Sequence, residues 1–273
     1  MNDRRVVVLD DADALVAAVA ARFVELLSEV LAEQEIAHVV LEGGRVHLRT
    51  LSAIAESPEL EGIDWSRVHI WWGDERFVPH DDAERNAGKA QQLLLNRIDI
   101  PQSNVHAMPA SDEIQSLDEA AERYAQELAR FSTGDDPFPH FDITFLGVGP
   151  DGHTASLFPG KDEVLDKEST VLPVRNSPKP PPERITLTRR VLNASRRVIA
   201  SLSGDDKAAV LGLALAGASY AEVPIAGVKG RLSTTFYVDE AAAAQVPEEL
   251  IAPGAYWTAS DAGEEPGPED SAD

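Results

Sequence analysis

The chain has 273 residues, enough for one large domain with a substantial core, and it contains no cysteine, which removes disulfides, thiolate chemistry and sulfur-ligated metals together. Its formal charge of −23 repels a phosphate polymer, and no basic face is segregated along the sequence, which excludes a nucleic-acid partner. No apolar run is long enough to span a bilayer and no basic, apolar leader precedes Val6, so the expectation is a cytoplasmic protein with no membrane partner, a monomer or weak homo-oligomer.

Val6-Val7-Val8-Leu9 predicts a first strand. Asp11 or Asp13 can cap the helix that follows, whose apolar stripe runs Leu15, Val19, Phe23, Leu26 and Val30 at helical spacing. His38 to Leu41 reads as a buried strand ending at Glu42-Gly43-Gly44, after which Leu48, Leu51 and Ile54 mark a short helix. Val68 to Trp72 is the next strand, Gly73-Asp74-Glu75-Arg76 its turn, and a helix is expected from about Asn86 to Asn96. A further amphipathic helix spans Leu117 to Phe131, and the strand Phe141 to Leu146 leads into a glycine-rich turn. Val171 to Val174 is strand-like; beyond Pro180-Pro181-Pro182, Arg184 opens the strand Ile185 to Leu187. Val198 to Leu202 is a strand whose turn Ser203-Gly204-Asp205-Asp206 starts a helix carrying Lys207, and Thr234 to Val238 is expected to close the sheet. The alternation predicts a three-layer α/β/α, Rossmann-like domain over residues 1–260 with a mainly parallel sheet. Residues 261–273 are acidic and poor in apolar side chains, and are expected to be a disordered tail.

Four glycine-bearing turns, at Gly43, Gly73, Gly149 and Gly204, each follow a strand and therefore share one edge of a parallel sheet, where helix N-termini and free backbone N–H groups favour an anion. The third is the most informative. Gly147, Gly149 and Gly152 satisfy G-x-G-x-x-G, but Pro159 stops any helix soon after His153, and no acidic residue ends a following strand, so a dinucleotide loop is rejected. The turn instead holds Asp151 and His153 toward a small polar ligand. His38, His47, His69, His80, His106 and His140 have no metal-ligand spacing and no G-x-S-x-G elbow occurs; neither a metal, a cofactor nor a serine nucleophile is expected.

Gly147-Val148-Gly149-Pro150-Asp151-Gly152-His153-Thr154-Ala155-Ser156-Leu157-Phe158-Pro159 and Trp72-Gly73-Asp74-Glu75-Arg76-Phe77-Val78-Pro79, supported by Arg184-Ile185-Thr186-Leu187-Thr188, Ser203-Gly204-Asp205-Asp206-Lys207-Ala208 and Phe236-Tyr237-Val238-Asp239, resemble the 6-phosphogluconolactonases, which are related to glucosamine-6-phosphate deaminase. The resemblance extends from the first strand to about Asp239. The deaminase branch continues after the histidine into Asn-Glu-Pro, whereas this chain reads Ser156-Leu157-Phe158-Pro159, which favours the lactonase.

The resemblance implies hydrolysis of a sugar-phosphate lactone, with His153 as general base, Asp151 orienting the imidazole or a substrate hydroxyl, and Arg76 polarising the carbonyl or stabilising the oxyanion. Asp74 is expected to hold Arg76. Arg184 and Lys207 are implied as phosphate ligands, and a phosphate between them relieves the unfavourable placement of Lys207 in the first turn of a helix. Substrate contacts are also implied at Gly43, Gly44 and Arg45. Relatives usually carry Thr-Gly-Gly followed by Ser or Thr at the first turn, where this chain has Glu42-Gly43-Gly44-Arg45; Arg45 is expected to offset Glu42 by pairing with it or by taking the phosphate itself. Two alternatives stay open: an aldose–ketose isomerase or deaminase of an amino-sugar phosphate, and a non-catalytic sugar-phosphate sensor.

Overall fold

Side-chain chemistry fixes the first crossover. The computed structural model, which describes residues 3–246 and 256–258, begins with strand β1 (Asp3–Leu9) and passes into helix α1 (Ala12–Glu33). Asp11, rather than Asp13, is the cap: its carboxylate accepts the backbone N–H groups of Asp13 and Ala14 at 2.8 and 2.9 Å, satisfying two donors that the first helical turn leaves free. The stripe Leu15, Val19, Phe23, Leu26 and Val30 is buried as its spacing demands.

Strand β2 (Ala37–Leu41) leads through Gly43-Gly44 into α2 (Arg45–Ala55), and β3 (Val68–Trp72) is followed by the short β4 (Asp74–Arg76). Next come α3 (Asn86–Leu93), β5 (Val105–His106), α4 (Leu117–Ala129) and β6 (Ile143–Gly147). The second half contributes α5 (Asp162–Leu165), β7 (Val171–Val174), β8 (Arg184–Leu187), α6 (Arg189–Leu192), β9 (Arg197–Leu202) and α7 (Ala208–Leu215). Strand β10 (Ser233–Asp239), α8 (Glu240–Ala243) and β11 (Tyr256–Thr258) complete the described chain.

Eight strands form one sheet in the order β11-β1-β10-β9-β6-β2-β3-β5, parallel at every pairing, and flanking helices give the three-layer α/β/α arrangement. Burial of the sheet on both faces explains why β2 and β6 read as nearly continuous apolar runs. Strands β9, β6, β2 and β3 lie side by side, so the turns at Gly204, Gly149, Gly43 and Gly73 come to one edge in adjacent columns. A second, antiparallel sheet β4-β8-β7 stands against that edge, with Asp74 opposite Thr186 and Arg76 opposite Arg184.

Three expectations are corrected. Thr234 to Val238 does not close the sheet: β10 lies between β1 and β9, because parallel crossovers return the last long strand to the middle. Asp74-Glu75-Arg76 is not a turn but a strand, since its backbone pairs with β8. The helix beginning at Asn86 ends at Leu93, and Leu95–Arg97 is a separate 3₁₀ turn. The tail at 261–273 and the domain boundary at 260 lie outside the described residues.

Three of the histidines, His38, His69 and His106, build a partly buried polar cluster at the β2–β3–β5 side of the sheet. Trp71 Nε1 donates to His38 Nδ1 at 3.1 Å, His69 Nδ1 lies 2.9 Å from His106 Nε2, and His106 Nδ1 lies 2.9 Å from Glu127 Oε1. Burial first, then the neighbouring His69 and His106, lowers the His38 imidazole to about 3. Burial also lowers His106 to about 4, against the opposing hydrogen bond with Glu127.

Candidate active site

Gly149 lets the third turn fold back on itself. A β-carbon there would lie 2.0 Å from His153 Nδ1 and 2.4 Å from Asp151 Oδ1, so only glycine permits the approach. The turn is closed by Gly149 N–H donating to the His153 carbonyl and Gly152 N–H to the Gly149 carbonyl, both at 2.9 Å. His153 Nδ1 then sits 2.5 Å from Asp151 Oδ1, and its ring packs on Phe158 with centroids 4.7 Å apart. Burial opposes ionisation of Asp151, but the hydrogen bond and charge of His153, with the charge of Lys179, hold its carboxyl well below the usual carboxylate range. With the Nδ1 proton directed at Asp151, the lone pair of His153 is on Nε2, which has no hydrogen-bond partner among the described residues.

Arg76 is placed by two glutamates. Glu75 is fully buried and accepts three backbone N–H groups, those of Arg76, Asn86 and Ala87, each at 2.8 Å, tying β4 to the start of α3. Glu84 takes the guanidinium, Arg76 Nη1 donating to its carbonyl at 2.7 Å, while Arg76 Nε is buried without a partner. Asp74 therefore does not hold Arg76. Its Oδ2 accepts the Ser156 hydroxyl at 2.7 Å and faces Arg184 Nη1 at 3.7 Å, which docks the small sheet onto the segment following His153.

Arg184 is also committed locally. Its guanidinium donates to the carbonyls of Lys179, Pro180 and Pro181 at 3.0 to 3.2 Å and so shapes the loop that carries Lys179. Lys179 is the residue that sequence reasoning missed: its ammonium lies 3.4 Å from His153 Nδ1 and 3.8 Å from Asp151 Oδ1. Burial, then Lys207 and Arg184, lower Lys179, with Asp151 opposing. The available signal was a lysine in a proline-rich stretch whose backbone is too stiff to be a mere linker. Lys207 Nζ pairs with Asp206 at 3.0 Å.

These groups converge on one cavity of about 230 Å³, lined by Glu42, Gly43, Gly44, Arg45, His47, Asp74, Arg76, His153, Lys179, Arg184, Ser203 and Lys207. Five cations thus face a single pocket in a chain of net charge −23. The N-terminus of α2 opens there with Gly44 as its cap residue and no side-chain cap, leaving backbone donors for an anion. His47 Nε2 and Asn86 Oδ1 nearby are buried without partners. Arg45 is exposed and makes no ion pair among the described residues; the charges beside Glu42 are Asp74 and Arg76, so the expected Glu42–Arg45 pair is not formed. A larger groove, about 1400 Å³, lies between α1 and strands β1, β9 and β10, away from the glycine turns and without a histidine in its lining.

Fold and pocket define an α/β protein with a histidine–carboxylate pair beside a pocket lined by five cations. The family described as glucosamine-6-phosphate isomerases/6-phosphogluconolactonase matches residues 10–237, and the chain belongs to it. It is 45% identical over 253 residues to a 6-phosphogluconolactonase of Streptomyces coelicolor, covering 91% of this chain and 97% of that one. A 6-phosphogluconolactonase of Mycobacterium tuberculosis is likewise 45% identical, over 245 residues, covering 88% and 97%. The crystal structure of 6-phosphogluconolactonase from Thermotoga maritima superposes with a TM-score of 0.76 at 30% identity, covering 86% of this chain and 99% of that one.

Proposed function

We infer that the protein hydrolyses 6-phospho-glucono-1,5-lactone to 6-phosphogluconate, the lactone-opening step of the oxidative pentose phosphate pathway, and that it does so in the cytoplasm. The observation that carries the reading is the placement of His153, 2.5 Å from Asp151, on the wall of a pocket that five cations also line. A lactone is an activated ester, so attack by one water suffices. His153 Nε2 takes the proton of that water as its oxygen bonds to the lactone carbonyl carbon, and Asp151 stabilises the imidazolium that forms. Arg76, whose Nε lacks a partner, faces the oxyanion as it develops. When the tetrahedral intermediate collapses, the C–O bond to the ring oxygen breaks and the imidazolium returns its proton to that oxygen. The uncapped start of α2, with Gly43, Gly44, Arg45 and Lys207, holds the phosphate, while Arg184 keeps Lys179 over the pair. Asp74 acts on substrate through Arg184 and Ser156.

The relatives named above at 45% identity are 6-phosphogluconolactonases, which supports the lactonase over the deaminase alternative. The test is a proton-release assay on the phosphorylated lactone, in the cold and at slightly acid pH where spontaneous opening is slow. Release of ammonia from glucosamine 6-phosphate, with no acceleration of lactone opening, contradicts the assignment.

A further inference from the structure

Glu42 is a carboxyl group on the wall of an anion pocket, an arrangement that repels the ligand if the group is charged. It joins the end of β2 to the glycines that open α2, and it is 4% exposed. Its carboxyl group packs against Gly147, where a β-carbon would lie 2.3 Å from Glu42 Oε1. Glu42 makes no hydrogen bond or ion pair among the described residues, although Asp74 and Arg76 from β4 are its charged neighbours and His47 shares its wall. A buried carboxylate with no donor directed at it is strongly disfavoured, whereas a buried carboxylic acid needs a single acceptor. Burial first, and then Asp74, push the Glu42 carboxyl well above the usual range, with Arg76 opposing.

We propose that Glu42 works as an uncharged acid whose O–H donates to a phosphate oxygen of the sugar phosphate, completing from the strand end the ring of donors that α2 and Lys207 begin. The inference rests on the sugar-phosphate reading of this pocket. In this arrangement the acid proton stays on Glu42 and is shared with the phosphate, so no bond is made or broken and the group takes no part in lactone opening. The phosphate, a strong acceptor, satisfies an O–H for which no described residue supplies an acceptor.

The test is calorimetric binding of 6-phosphogluconate and of unphosphorylated gluconate at pH 7 to the wild-type chain, Glu42→Ala and Glu42→Gln. Glu42→Ala, which has no donor, should bind 6-phosphogluconate about tenfold more weakly, as expected for a lost hydrogen bond to a charged acceptor. Glu42→Gln, whose amide restores a donor in nearly the same shape, should recover most of that loss, and gluconate should bind all three proteins alike, which also reports that they are folded. Tighter binding of 6-phosphogluconate by both variants means that Glu42 is an ionised repeller and overturns the proposal. So does equal binding by all three. A wild-type chain that binds 6-phosphogluconate but opens no lactone refutes the catalytic reading while leaving this result to decide Glu42 by itself.

Discussion

Replacing Asp151 by Asn keeps the shape of the partner of His153 and removes its charge. The contact is 2.5 Å, so Coulomb's law gives about 1.7 kcal/mol at the dielectric of water and about 6.6 kcal/mol at an effective value of 20. The Asp151 side chain is 37% exposed, which screens the interaction and places the differential stabilisation of imidazolium near the lower bound, about 2 kcal/mol. Asp151→Asn should therefore lower kcat about 30-fold in the cold proton-release assay, with KM changed by less than about threefold, because Asp151 is not among the proposed phosphate ligands Gly43, Gly44, Arg45 and Lys207. Thirty-fold is a floor: an amide that turns its NH₂ toward Nδ1 leaves the lone pair there and takes the base away from the substrate. A kcat within threefold of wild type would show that Asp151 does not stabilise the charge that His153 acquires.

His153→Ala should lower kcat by about two to four powers of ten with unchanged circular dichroism, and near-normal turnover removes His153 from the mechanism. Lys207→Ala should raise KM for the phosphorylated lactone far more than for gluconolactone; an equal effect on both means that Lys207 does not read phosphate. In a double-mutant cycle on kcat/KM, Arg45→Ala and Glu42→Gln should be additive within about 0.5 kcal/mol, since no ion pair joins them, and a larger coupling restores the pairing expected from sequence. His38 is held neutral in the fold by a depressed value of about 3, so its contribution to stability is complete above the unfolded value of 6.5 and is lost as pH falls toward 3. In urea unfolding between pH 6.5 and 4.5, His38→Gln should flatten the decline in stability by up to about 1.4 kcal/mol per pH unit, and an unchanged slope shows that His38 is already charged in the native state.

The parts legible in the sequence were those where local pattern and burial agree. β2, β3, β6 and β9 are apolar runs ending in glycine turns, so their existence and their shared edge followed from the residues alone, and with them the meeting of Gly43, Gly149 and Lys207 in one pocket. Strand β4 was hidden because Asp74-Glu75-Arg76 has no apolar residue; its buried charges are satisfied by groups distant in sequence, Arg184 and Ser156 for Asp74 and the start of α3 for Glu75. The two-residue β5 carries too little pattern to be seen. The partners of the cations were equally unreadable. Arg76 binds Glu84 and not the adjacent Asp74, and Arg184 folds the loop of Lys179 over His153, because long side chains choose partners by the approach of β4 and β8, which only the tertiary fold sets.

The most direct test of the account is kcat/KM of the purified chain for 6-phospho-glucono-1,5-lactone and for unphosphorylated gluconolactone, measured side by side with His153→Ala. Rapid opening of the phosphorylated lactone, a strong preference for it over gluconolactone, and loss of the acceleration in the variant are expected. Opening no faster than in buffer, or at the same rate with and without His153, would contradict the account.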